Sequence, residues 1–183
     1  MTTVQFQPFF SRARGTQDPA RTRERTDYIG APTESDVTTN DPYDLERFVG
    51  AQDAGGTYAA AVAELRAGRK TSHWMWFVFP QIGGLGTSPM SRRYAISSLE
   101  EARQYLAHPL LGARLEECAR VLTELSGPTA KDIFGSIDAM KLRSSMTLFA
   151  RAAPERPLFL EVLDRYFCGL ADEATDARLA ERA

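Results

Sequence analysis

Three side chains able to carry or attract protons, Asp138, Lys141 and Ser145, fall on one stripe of a predicted helix that starts at Ser136 and runs through Phe149. On a helical wheel Ile137 and Leu148 cluster on one side of the stripe and Leu142 and Phe149 on the other. Ala139, Arg143, Thr147 and Ala150 mark the side predicted to face water. If the apolar residues are buried, an unpaired Asp138 or Lys141 would cost several kcal/mol, so both need partners. The nearest partners are each other, three residues apart on a helix. Two readings follow: a satisfied ion pair that pins the packing, or a stripe facing a cleft. In the cleft Lys141 would be an anion ligand and Asp138 an acid or base. Lys141 with Ser144 also invites a serine–lysine dyad, but the order is inverted relative to the usual motif.

The second concentration of chemistry is His73-Trp74-Met75-Trp76-Phe77-Val78-Phe79-Pro80-Gln81, which holds both tryptophans and one of the two histidines. Its consecutive large residues show neither alternation nor a helical face, so the run must be surrounded on all sides, as a helix or a buried extended piece. His73 is a candidate for proton transfer. Burying an indole is worth up to ~4–6 kcal/mol, enough to explain Trp74 and Trp76 as core residues. The sharper reading makes Trp74 or Trp76 a platform for a flat ligand, with Gln81 hydrogen-bonding either that ligand or the loop.

The run leads into Gly83-Gly84-Leu85-Gly86-Thr87-Ser88-Pro89, followed by Arg92 and Arg93. Glycines let backbone amides approach a ligand, and a helix N-terminus attracts anions. Gly84, Ser88 and Arg92 are therefore candidates to hold a phosphate or carboxylate. The spacing matches neither a Walker loop nor a dinucleotide fingerprint, and a tight turn with solvated arginines accounts for it as well.

The elements that must position these groups read as helices. Asp41-Pro42 starts one through Leu45, Phe48 and Val49; Thr57 starts another that stops at Gly68. Ser88-Pro89 and the Ser98/Glu101 capping box open two more. Pro109 reopens a long amphipathic helix to Gly127-Pro128, and a last one runs over Leu158, Val162, Leu163, Tyr166 and Phe167 to Gly169. No pair of alternating runs is joined by a hairpin turn, so the fold class is mainly α: a compact single-domain multi-helix bundle around a buried Trp-rich segment. Residues 41–183 are predicted to form that domain and residues 1–40 a disordered N-terminal arm.

A net charge of -2 and a pI near 5.8 leave no global basic field for nucleic acid or an anionic membrane. Five arginines between Arg12 and Arg25 are interleaved with Asp18 and Glu24, which suits a solvated tail. No run approaches the ~18 apolar residues of a membrane span, and no signal-peptide core is evident. Cys118 and Cys168 lie in helical patterns, as buried thiols of a reducing compartment, so a cytoplasmic location is expected. Two histidines and two scattered cysteines assemble no metal site, and no cofactor is predicted.

Several of these residues also carry a resemblance. Asp44-Leu45-Glu46-Arg47-Phe48 with Ala51-Gln52, Gly68-Arg69-Lys70, Ser72 through Gln81, Tyr94-Ala95-Ile96, His108-Pro109, Ile133-Phe134-Gly135, Asp138 and Lys141 through Phe149 resemble the bacterial family catalogued as domain of unknown function 1810. The similarity covers roughly residues 42 to 176. It implies a helical, compact, soluble bacterial protein without an established activity. The calpastatin label sometimes attached to such proteins finds no support in these residues. A fainter similarity in helical layout, to enzymes acting on ADP-ribose and NAD derivatives, is analogy alone. The combined expectation is a pocket for a small anionic, nucleotide-like molecule. Trp74 or Trp76 stacks, Gly84, Ser88 and Arg92 hold the anion, and His73, Asp138 and Lys141 transfer protons, with Ser145 beside them. The alternative is a non-catalytic protein-interaction module.

Overall fold

Thr129 and Asp132 cap each other: the Thr129 hydroxyl accepts the Asp132 amide, and the Asp132 carboxylate accepts the Thr129 amide. This reciprocal cap starts the longest helix of a computed structural model that describes residues 41–182. The helices are α1 (Glu46–Asp53), α2 (Thr57–Arg66), α3 (Met75–Val78), α4 (Pro89–Arg93), α5 (Leu99–Ala107), α6 (Leu111–Glu124), α7 (Ala130–Ala152), α8 (Leu158–Phe167) and α9 (Glu173–Ala180). A 3-10 turn, Ala54–Gly56, joins α1 to α2. Among the described residues the one β-type pairing is an isolated parallel bridge between Ile82 and Ile96. The mainly α prediction holds, and no described helix is long and apolar enough to cross a membrane. The predicted arm, residues 1–40, lies outside the described residues.

Helix α7 is the hub. It packs against α5, α8 and α9, while α6 packs against α2, α5 and α8. An aromatic chain runs through the centre: Phe48 meets Tyr105 edge-on at 5.1 Å, Tyr105 meets Phe149 at 5.4 Å, and Phe149 meets Phe159 at 5.8 Å. Buried Gln52 ties α1 to the Trp-rich run, its amide donating to the Phe77 carbonyl at 2.7 Å while its oxygen accepts from Arg114. The run itself resolves into the single turn α3. Trp74, Met75, Phe77, Val78 and Phe79 are buried, whereas Trp76 is only partly covered.

Several boundaries differ from the sequence reading for local reasons. Asp41 accepts the Glu46 amide at 3.0 Å, but Asp44 adopts a left-handed φ of 51°, so α1 starts after it and not at Pro42. Pro109 likewise precedes the helix; His108 Nδ1 accepts the amides of Leu110 and Leu111, and α6 opens at Leu111. Gly135, at φ 73° and ψ 170°, breaks α7 so that a fresh helical segment does begin at Ser136. Cys118 is buried as expected, but Cys168 is exposed in the left-handed turn that ends α8.

The predicted water-facing side of α7 is a correction. Ala139, Thr147 and Ala150 are buried because α9 and the turn before it cover that face. The Thr147 hydroxyl accepts the Asp172 amide, and Arg143 donates to the carbonyls of Leu170 and Ala171. Ile137 and Met140 are instead 67% and 64% exposed.

Candidate functional site

Asp138 sits between two ammonium groups, each on a separate carboxylate oxygen: Lys141 at 2.7 Å to Oδ1 and Lys70 at 2.7 Å to Oδ2. Lys70 arrives from the loop after α2, held by its amide on the Ile133 carbonyl and its Nζ on the Ser72 carbonyl. Each lysine also lies over one indole, Lys70 at 5.1 Å from the Trp74 ring and Lys141 at 4.4 Å from the Trp76 ring. The five groups therefore alternate, indole–ammonium–carboxylate–ammonium–indole. Partial burial works against the Asp138 charge, yet the two ammoniums outweigh it and hold the carboxyl below the usual carboxylate range.

Glu64 of α2 anchors the other side of this arrangement, and sequence reasoning missed it. Its carboxylate accepts the Trp74 indole N–H at 2.8 Å, the amides of Thr71 and Ser72, and both of their hydroxyls. Burial opposes its ionisation, but these donors push the pKa down to about 2. Trp74 is thereby locked into the core with no exposed surface, so it is not available as a stacking platform.

A cleft of about 550 Å³ opens beside Trp76. Gln81, Leu85 and Ser88 line its loop side, Met140, Lys141 and Ser144 its α7 side, and Asp172 the end next to α9. Among the described residues neither the Trp76 indole N–H nor the Gln81 side-chain amide has a protein hydrogen-bond partner, so both remain free for a ligand. Asp172 is the residue the sequence reading lacked. It caps α9 through Oδ2, which accepts the Thr175 amide at 2.9 Å and hydroxyl at 2.7 Å, and also the Ser144 hydroxyl at 3.0 Å. The available signal was the spacing Asp172-x-x-Thr175, an N-cap pattern in a stretch without apolar periodicity.

The structure brings Trp76, Gln81, Ser88 and Lys141 together around this cleft, with Asp138 directly behind Lys141. His73, Gly84, Arg92 and Ser145 do not line it. His73 is exposed and does not line the cleft. The Gly84 carbonyl accepts from Arg178, and Arg92 turns back onto the Thr87 carbonyl. Ser88 Oγ is engaged in capping α4, accepting the Ser91 amide at 3.1 Å. Gly84, Ser88 and Arg92 thus form no shared anion nest: Gly84 is engaged by Arg178 of α9, and Ser88 and Arg92 by neighbours in their own loop and helix. Ser145 is fully buried, and its hydroxyl is the one buried side-chain polar atom without a partner among the described residues. No group of three or more His, Cys, Asp or Glu side chains suited to a metal ion occurs among them.

A family model described as "Protein of unknown function (DUF1810)" matches residues 42–179. A solved structure, that of a conserved hypothetical protein from Mycobacterium tuberculosis, is similar at 54% sequence identity and a TM-score of 0.74. The similarity covers 76% of this chain and 99% of that one. No curated protein matches the sequence.

Proposed function

We propose, for a chain that belongs to the family described as protein of unknown function (DUF1810), that the cleft beside Trp76 binds a small molecule with a planar or apolar body and an anionic group. The observation that carries this reading is Lys141: its ammonium lies 4.4 Å from the Trp76 ring at the cleft wall and spends one hydrogen bond on Asp138. Two further N–H donors remain for an incoming anion. Trp76, Leu85, Ile137 and Met140 supply apolar surface, and Gln81 a free amide to orient the ligand.

The reading is for binding without turnover. A general acid or base needs hydrogen-bond reach to substrate and a pKa near the working pH. His73 is exposed outside the cleft, and Asp138 is kept ionised by Lys70 and Lys141. The protein-interaction alternative is favoured by one observation, the 67% and 64% exposure of Ile137 and Met140 at the cleft rim.

Thermal-shift measurements against nucleotides, NAD derivatives, phosphorylated metabolites and aromatic carboxylic acids separate the two. A specific ligand at a hundredfold its Kd adds ~2.7 kcal/mol of stability, and Lys141→Met removes that gain. No Lys141-dependent shift across the set overturns the cleft reading.

A further inference from the structure

We propose that Asp172 is a specificity residue of the cleft. Besides the anionic group held at Lys141, the ligand carries a hydrogen-bond donor, an amine or an N–H edge, directed at Asp172 Oδ1. This rests on the cleft reading and narrows it to dipolar molecules.

The two oxygens of Asp172 are used unequally. Oδ2 is saturated by the Ser144 hydroxyl, the Thr175 amide and the Thr175 hydroxyl, which fix the carboxylate on both α7 and α9. Oδ1 accepts no hydrogen bond from the described residues, although Asp172 lines the cleft. The backbone is fixed as well, since the Asp172 amide donates to Thr147 Oγ1 at 2.8 Å. A fixed carboxylate with one unspent oxygen, on a residue that lines a ligand-sized space, is an acceptor in waiting, and a charged acceptor favours a charged or strongly polarised donor.

The spacing sets the ligand's shape. Lys141 and Ser144 stand three residues apart on α7, and Ser144 Oγ touches Asp172 at 3.0 Å. The anionic group and the donor are therefore separated by roughly 5–8 Å, about one helical turn plus a side-chain offset. Trp76, Met140 and Ile137 line the same cleft, which suits a flat, apolar spacer. A multiply charged anion would instead bring its excess charge against Asp172, a like-charge penalty that selects against it.

Calorimetric titration of the full chain with 4-(aminomethyl)benzoate, 4-methylbenzoate and 4-methylbenzylamine tests this directly. The first compound carries both charged ends on a flat ring, and each of the others lacks one. It should bind about tenfold more tightly than either, the gain expected of one charge-assisted hydrogen bond. Asp172→Asn should abolish the advantage of 4-(aminomethyl)benzoate over 4-methylbenzoate, the two affinities being compared within that variant. Asn is as good an N-cap as Asp, so α9 stays docked and an unchanged melting temperature reports it. If the amine adds nothing in the wild type, or its advantage survives in D172N, the Asp172 proposal is overturned. Lys141-dependent binding of 4-methylbenzoate would then leave the cleft reading standing. Absence of binding by all three compounds overturns both.

Discussion

Replacing Glu64 with Gln tests how the Trp-rich run is held in place. The Glu64 carboxylate accepts five hydrogen bonds from Thr71, Ser72 and Trp74, and its pKa falls from the ordinary 4.5 to about 2. At ~1.4 kcal/mol per tenfold change in proton affinity, the ceiling on its contribution is about 3 kcal/mol. The carboxylate is partly open to solvent, which screens the interaction and brings the expected value to about 1.5 kcal/mol. The sign follows from the lowered folded value: the unfolded chain takes up the proton first as pH falls. The contribution is therefore complete above about pH 4.5 and is lost as the pH drops toward 2.

A glutamine can keep its oxygen toward the Thr71 and Ser72 amides and the indole, and its NH2 toward the two hydroxyls, which can turn to accept. The loss in E64Q is then that of the charge. Urea unfolding followed by tryptophan emission should place E64Q about 1.5 kcal/mol below wild type at pH 7, with the gap narrowing below pH 4.5. A gap under about 0.5 kcal/mol at pH 7, or one that stays constant down to pH 3.5, refutes the reasoning.

Three further outcomes follow from the same structure. Asp138→Asn leaves the ammoniums of Lys70 and Lys141 facing each other with no carboxylate between them; urea unfolding should show a loss of about 2–3 kcal/mol, and a loss below about 0.5 kcal/mol contradicts the role assigned to Asp138. A Cβ at Gly112 would stand 2.2 Å from the Leu106 carbonyl oxygen, a backbone atom, so Gly112→Ala should destabilise by about 3 kcal/mol or more in the same assay. Cys168 is exposed, whereas burial pushes the Cys118 thiol up to about 12, so a disulfide reagent should titrate one thiol in the native protein and both in denaturant.

What the sequence made legible was what apolar periodicity and caps encode. The helical class, the stop at Gly68, the Ser88 and Ser98 caps and the restart at Ser136 each rest on a local signal, and each recurs in the structure. The pairing of Asp138 with Lys141 was within reach for the same reason, since helix geometry alone brings them together. What was not legible is what distant chain segments bring. Lys70 reaches Asp138 from 68 residues away in the chain. Glu64 looks like an ordinary exposed residue of an alanine-rich helix until the loop folds back onto it.

Helix α9 shows the limit of hydrophobic reasoning most sharply. It buries only Thr175 fully, so no apolar stripe announced it. It is docked by polar groups instead: Asp172 onto Ser144, Arg151 onto Asp176, and Arg178 and Arg182 onto the carbonyls of Gly84 and Gly83. Because these bonds tie α9 both to α7 and to the glycine loop, one short helix fixes two walls of the cleft at once. The C-terminal end of the chain, which carries no apolar stripe, therefore borders the space beside Trp76 and supplies the carboxylate within it. Hydrogen bonds whose exposed members are worth about 1 kcal/mol each hold this geometry. A ligand that engaged Lys141 and Asp172 together would be expected to protect α9 amides from hydrogen exchange more than those of α2, which has no residue in the cleft.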